Sequence, residues 1–264
     1  MKNILVPIGV SRYAPSTLAY ALEFAKHFNS TVFVIDAYPH HASMARLTNV
    51  KAKLEEEYHL KLKNMVKEIA PKPKNIKIVS SNRDLLGTII KLNDTIGLDL
   101  IVTAPLNNEI NDEVFLGPIA GSIIKRTKVP VLVAPVEKSF KPPKRMLMAF
   151  KNGEIKSTSI LDPLIDIQDF FKVKLRLLLV KVPGFANRNH QIGDEVLKRA
   201  EQLLYSENAT VYQGVLEHFQ ANKPDMLVVF KRERGFFEKL FESDIILKKD
   251  FYCTIPLLVL KNKD

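Results

Sequence analysis

Short apolar runs alternate with longer stretches in which apolar residues recur every three or four positions. Residues 3–9 (NILVPIG) form a run of strand length, and residues 11–28 follow with Leu18, Ala21, Leu22 and Ala25 at helical spacing. The same alternation predicts strands at 31–38, 75–81, 98–105 and 129–135, and helices at 47–70, 83–97 and 117–128. Beyond 144 the pattern returns more loosely. It predicts strands at 144–151, 173–182, 209–215, 225–231 and 255–261, and helices at 157–171, with a proline near its middle, 193–204 and 216–222. Strands that alternate strictly with helices imply right-handed crossovers and a mainly parallel sheet covered on both faces.

The two halves align. LDLIVTAP (98–105) resembles PDMLVVFK (224–231), and KVPVLVAP (128–135) resembles TIPLLVLK (254–261). Asp99 lies 126 positions before Asp225, and Pro130 lies 126 before Pro256, so both anchors share one offset, as a duplication requires. NILVP (3–7) answers RMLMA (145–149) at an offset of 142, so the second copy is about 16 residues shorter ahead of the shared region; the expected place of the loss is 39–50. This gives one domain over 1–137 and a shorter, degenerate one over 143–264, joined by VEKSFKPPK, an exposed connection by its prolines and lysines. The apolar runs 129–135 and 255–261 are sheet edges that need covering, and pairing them across an internal pseudo-twofold would cover both.

Words in both copies resemble the universal stress protein family in tandem form. In the first copy they are NILVPIGVSRYAPSTLAYALEFAKHFNSTVFVIDAY, LDLIVTAP and VFLGPIAGSIIKRTKVPVLVAP; in the second, KPDMLVVFKRERGFFEKLF and FYCTIPLLVLK. The resemblance covers nearly the whole chain. It implies two adenine-nucleotide-hydrolase-like (Rossmann-like) α/β domains, each a mainly five-stranded parallel sheet flanked by helices, in a family with ATP-binding and non-binding branches. The binding branch carries an aspartate after strand one and a G-x2-G-x9-G-[S/T] loop after strand four. Here Gly9 stands in the aspartate's place, and the loop positions read Ala104, Asn107, Gly117 and Pro118.

These departures act in one direction. Glycines let such a loop approach phosphates and adopt positive φ, which Ala104 does poorly and Asn107 only tolerably. Phosphates are held by backbone N–H groups at a helix entrance, and Pro118 removes one donor together with the hydroxyl. Glu109, Asp112 and Glu113 add negative charge before the helix. Gly117-Pro118 therefore reads as a proline-started helix on a tight turn. Asp36, at the end of strand two, either contacts a ribose or caps a turn, and the cap is preferred. The expectation is a non-catalytic stress-response or regulatory module without a cofactor. The alternative is a protein that binds ATP or AMP as a nucleotide-dependent switch or slow ATPase.

In the second copy the equivalent positions are Lys151, Phe230, Glu233, Ser243 and Asp244, so no loop glycine survives. Lys231, Arg232 and Arg234 follow its strand four as possible anion contacts, although salt bridges to acidic loops of the other copy are the plainer reading. Phe236, Phe237, Leu240 and Phe241 fall at helical spacing and suit packing rather than base stacking.

Composition changes this picture little. The 264 residues are 46% hydrophobic and 26% charged, an ordinary globular balance. The net charge of +10 raises a basic scaffold for an acidic partner or RNA, through KPPKR (141–145) and KRER (231–234). Most lysines, however, interleave with glutamates as on solvated helix faces, and the chain has no tryptophan, RNP-like motif or zinc-ligand spacing, which argues against nucleic acid. His40-His41 lacks further ligands nearby, so no metal site is expected. The single Cys253, in FYCTIPLLVL, reads as an inert packed thiol in a reducing compartment. No apolar run approaches the roughly 18–20 residues that span a bilayer, and a cytoplasmic protein is expected, an internal pseudo-dimer of its two domains, with a homodimer as the further option.

Overall fold

The computed structural model describes residues 1–9, 11–37, 48–71, 75–81, 84–105, 113–150, 158–183, 192–231, 244–249 and 251–261. In the first copy β1 (Asn3–Ile8), α1 (Ala14–His27), β2 (Thr31–Asp36), α2 (Thr48–Ile69), β3 (Ile76–Val79), α3 (Leu85–Ile96), β4 (Leu100–Thr103), β5 (Val114–Leu116), α4 (Pro118–Arg126) and β6 (Val131–Val133) follow one another. The second copy contains β7 (Arg145–Phe150), α5 (Asp162–Phe171), β8 (Lys174–Lys181), α6 (Asp194–Arg199), β9 (Ala200–Glu207), α7 (Val211–Asn222), β10 (Met226–Lys231), β11 (Ile246–Leu247) and β12 (Leu257–Lys261).

Ten strands form one sheet in the order β3-β2-β1-β4-β6-β12-β10-β7-β8-β9. Each copy contributes five parallel strands in the same relative order. The antiparallel junction lies between β6 and β12, where Leu257, Leu258 and Val259 face Val133, Leu132 and Val131. These apolar edges thus cover each other. The sheet's inner strands are apolar on both faces because both faces are buried. In β1, Ile4, Val6 and Ile8 pack into one core with α1, α2 and α5, while Leu5 points into the opposite core with α3, α4 and α7.

The duplication extends to hydrogen bonds. The Asp99 carboxylate accepts from the amides of Lys2 and Asn3, and the Asp225 carboxylate accepts from Lys144 and Arg145. In each copy the same aspartate's N–H donates to the carbonyl of strand one's first residue, Asn3 or Arg145. An aspartate before strand four thus fastens the start of strand one twice over.

Five sequence expectations change. Residues 200–204, expected as the end of a helix over 193–204, instead begin the edge strand β9, whose register with β8 overrides helix-forming residues such as Glu201 and Gln202. Residues 209–215 were expected as a strand but enter helix α7, because the Thr210 side chain caps it by accepting from the Gln213 amide at 3.1 Å. The shortening of the second copy appears in its second helix: α2 has 22 residues and α6 has 6, a difference of 16. The linker is not wholly exposed. Phe140 is buried against Tyr20 and Phe24 of α1 and Phe171 of α5, with ring centroids 5.4, 5.5 and 5.8 Å away. Pro163, expected in mid-helix, lies in the first turn of α5, where its missing N–H breaks no helical bond.

Candidate functional site

A small cavity opens at the carboxyl ends of β1 and β4, the place where α/β sheets of this kind hold ligands. Gly9 and Ala104 line it, with Ile8, Ala37 and Ile119 as apolar wall. Ser11, Thr17 and Thr103 supply its hydroxyls, which the sequence reading had not singled out; their signal was position, at or just beyond the ends of strands one and four. Each hydroxyl serves the local backbone: Ser11 Oγ accepts from the Tyr13 amide, Thr17 Oγ1 donates to the Tyr13 carbonyl, and Thr103 Oγ1 donates to the Ala104 carbonyl. Among the described residues no ionisable side chain lines the cavity, and its empty space is about 280 Å³ with open solvent included.

Gly9 is closely placed. A Cβ there would come within 3.0 Å of the Ala37 carbonyl oxygen, so the turn after β1 leaves little room for a side chain. Gly117 caps α4 in extended conformation, with φ −77° and ψ 174°. The positive φ expected of a phosphate-loop glycine is therefore not used here. Its N–H donates to the Pro105 carbonyl at 2.7 Å, and Pro118, in the first turn, has none to offer. Two successive positions of the helix entrance thus present no free donor to a ligand.

Asp36 adjoins the cavity through Ala37, but its Oδ1 accepts from the Ser81 amide and ties the end of β2 to the turn after β3. That is the capping role preferred from the sequence. Asn107 lies outside the described residues, as do Arg232, Arg234, the His40-His41 pair and the 236–241 aromatics. Lys231, at the end of β10, directs its ammonium to the Lys125 carbonyl at the carboxyl end of α4. Among the described residues no cluster of three or more His, Cys, Asp or Glu side chains is placed to hold a metal, and no helix is long and apolar enough to cross a membrane.

A doubly wound parallel sheet flanked by helices, with a cavity at its strand ends beside the start of α4, defines a Rossmann-like α/β protein. The universal stress protein family model matches residues 1–135, and the chain belongs to that family. Among solved structures, a universal stress protein from Archaeoglobus fulgidus is similar over 98% of both chains, with a TM-score of 0.65 at 12% identity. A putative universal stress protein from Pseudomonas aeruginosa UCBPP-PA14 is similar over 99% of this chain and 93% of its own, with a TM-score of 0.61 at 17% identity. A functionally unknown protein from Pseudomonas aeruginosa PAO1 matches over 100% and 94%, also with a TM-score of 0.61 at 17% identity. At these identities the likeness establishes the fold, and it spans both copies. None of the curated proteins matches the chain.

Proposed function

We propose that this chain is a non-catalytic, cytoplasmic stress-response module that keeps the scaffold of a nucleotide site without holding ATP, its two copies acting as an internal pseudo-dimer. One observation carries the reading: the Gly117 N–H is engaged by the Pro105 carbonyl at 2.7 Å and Pro118 has no N–H. Phosphate recognition at a helix entrance rests on such donors. The lining supports it, since none of the described residues in it would offset the charge of a triphosphate.

Isothermal titration of the purified protein with ATP and magnesium tests this. The expected result is no binding at millimolar nucleotide. Saturable binding that Gly117→Val abolishes would overturn it. Native mass spectrometry of freshly purified protein adds an independent arm, because co-purified ATP or AMP would equally refute the reading.

A further inference from the structure

Lys261 is the one charged side chain in the buried core of the described residues, 2% exposed at the end of β12. Its ammonium nitrogen donates to the Ile123 carbonyl at 2.9 Å, the Thr127 carbonyl at 3.1 Å and Thr127 Oγ1 at 2.9 Å, all at the carboxyl end of α4 in the other copy. Lys231 is its direct register neighbour across the parallel β10–β12 pair and donates to the Lys125 carbonyl on the same helix end. Two lysines of the second copy thus stop the open carbonyls of a first-copy helix, where cations are favoured by the helix dipole.

The polar surroundings accommodate both protonation states. As an ammonium, Lys261 has three N–H groups for three acceptors, while the Thr127 hydroxyl donates to the Ile123 carbonyl at 2.8 Å. As a neutral amine it keeps its two bonds to the carbonyls, and the Thr127 hydroxyl, rotated, donates to the lone pair. A hydroxyl rotation therefore separates the two states.

Their balance is set by charge. Lys125 and Arg126 of α4 turn to Asp244, at 3.6 and 2.9 Å, so that carboxylate is engaged away from the buried pair. Lys128 in the following turn is exposed, β6 contributes only Val131, Leu132 and Val133, and the turn over 158–161 that also packs on β12 carries no ionisable group before Asp162. Burial, then the Lys231 charge, push Lys261 well below the ordinary lysine range. Burial and the Lys125 charge push Lys231 in the same direction.

We propose that Lys261 and Lys231 form a pH-responsive latch between the two copies, in which the same contacts hold α4 more firmly when the buried Lys261 is neutral than when it carries a proton beside Lys231. Because the folded state holds this proton less tightly than the unfolded chain, the folded state gains stability as pH rises from the depressed folded value toward 10.5, and the gain is absent below that window. The opposite end of α4 frames the cavity of the first copy, so the latch bears on the helix that closes it.

The test compares urea unfolding of the wild type, Lys261→Met, Lys231→Met and Lys231→Arg from about pH 6 upward; taking each variant against wild type cancels the groups they share. The wild type should gain stability over Lys261→Met as pH rises. Lys231→Met should move the rise to higher pH by removing the neighbouring charge, and Lys231→Arg should leave it in place. Should Lys261→Met not fold, the Lys231 pair alone decides. A pH-independent gap between wild type and Lys261→Met, or a profile that Lys231→Met leaves unmoved, overturns the latch. In lysine side-chain nitrogen NMR, one lysine should titrate below the others; all lysines titrating together would also overturn it.

Discussion

Gly121, in the second turn of α4, tests how tightly the copies are seated. Its substitution by alanine sets two effects against each other. In a free helix the change would stabilise by about 1 kcal/mol through propensity alone. Here the added Cβ would lie 2.0 Å from the Asp244 carbonyl oxygen and 2.5 Å from its carbon, whereas ordinary contact begins near 3.4 Å. The obstacle is backbone, so no rotamer relieves it. The Asp244 segment must retreat from α4, weakening the Arg126–Asp244 pair and the neighbouring β5–β11 ladder. Overpacking of this kind costs about 1–3 kcal/mol, and an exposed ion pair adds under about 1. With backbone as the obstacle the upper part of that range applies, and after the propensity gain the net loss is about 2 kcal/mol. For a chain of this size that corresponds to a melting temperature lower by about 4–8 °C. Calorimetry of Gly121→Ala beside Ser122→Ala, its half-buried neighbour, makes the comparison. A Gly121→Ala protein that melts at or above the wild type would show that the α4–Asp244 contact is not as close as described.

Three further outcomes are expected. Asp99→Ala and Asp225→Ala each remove a carboxylate that accepts two strand-start amides, and each should lose about 1–2 kcal/mol by urea denaturation; if one is silent, the two copies are not fastened alike. Burial pushes the Cys253 thiol up to about 12, against an ordinary value of 9.0, so the native protein should resist Ellman's reagent near pH 8 while the urea-unfolded chain releases one equivalent; rapid native labelling would contradict the burial. The buried Tyr20 hydroxyl has no hydrogen-bond partner among the described residues, so Tyr20→Phe should leave stability unchanged or raise it by up to about 1 kcal/mol, and a measured loss would reveal a partner.

What was legible in the sequence follows from what local pattern encodes. The first copy's inner strands are short apolar runs bounded by turns and buried on both faces, and the helices between them show the period of one packed stripe, so the two signals do not overlap. In the second copy they do. AEQLLYSE is rich in helix formers and sits at the sheet's edge, half exposed, where pairing with β8 rather than the residues' own preference decides the conformation. VYQGV looks like a strand by its valines and tyrosine. Gly214 is a packing position in α7: a Cβ there would lie 2.8 Å from Val180 Cγ1 on β8, so the glycine brings the helix close to the sheet. The buried Lys261 was not legible for the same reason. Its acceptors come from the other copy, 134 and 138 positions away, and only the antiparallel β6–β12 junction brings them together.

The helix entrance at Gly117 joins these threads. Sequence placed it after strand four and read Gly117-Pro118 as a proline-started helix on a tight turn; the Gly117 backbone is extended, without the positive φ of a phosphate-loop glycine. What the structure supplies is a different use of the same atoms. The Gly117 N–H holds the turn after β4 closed on Pro105, β5 ahead of it pairs with β11, and the far end of α4 is stopped by Lys231 and Lys261. A helix whose entrance donor serves its own chain, and whose exit carbonyls serve the partner copy, is held from both ends by contacts that a phosphate-binding helix would leave open at one. The loss of the hydroxyl and two glycines and the gain of inter-copy contacts therefore have a common consequence: α4 joins the copies as well as framing a cavity.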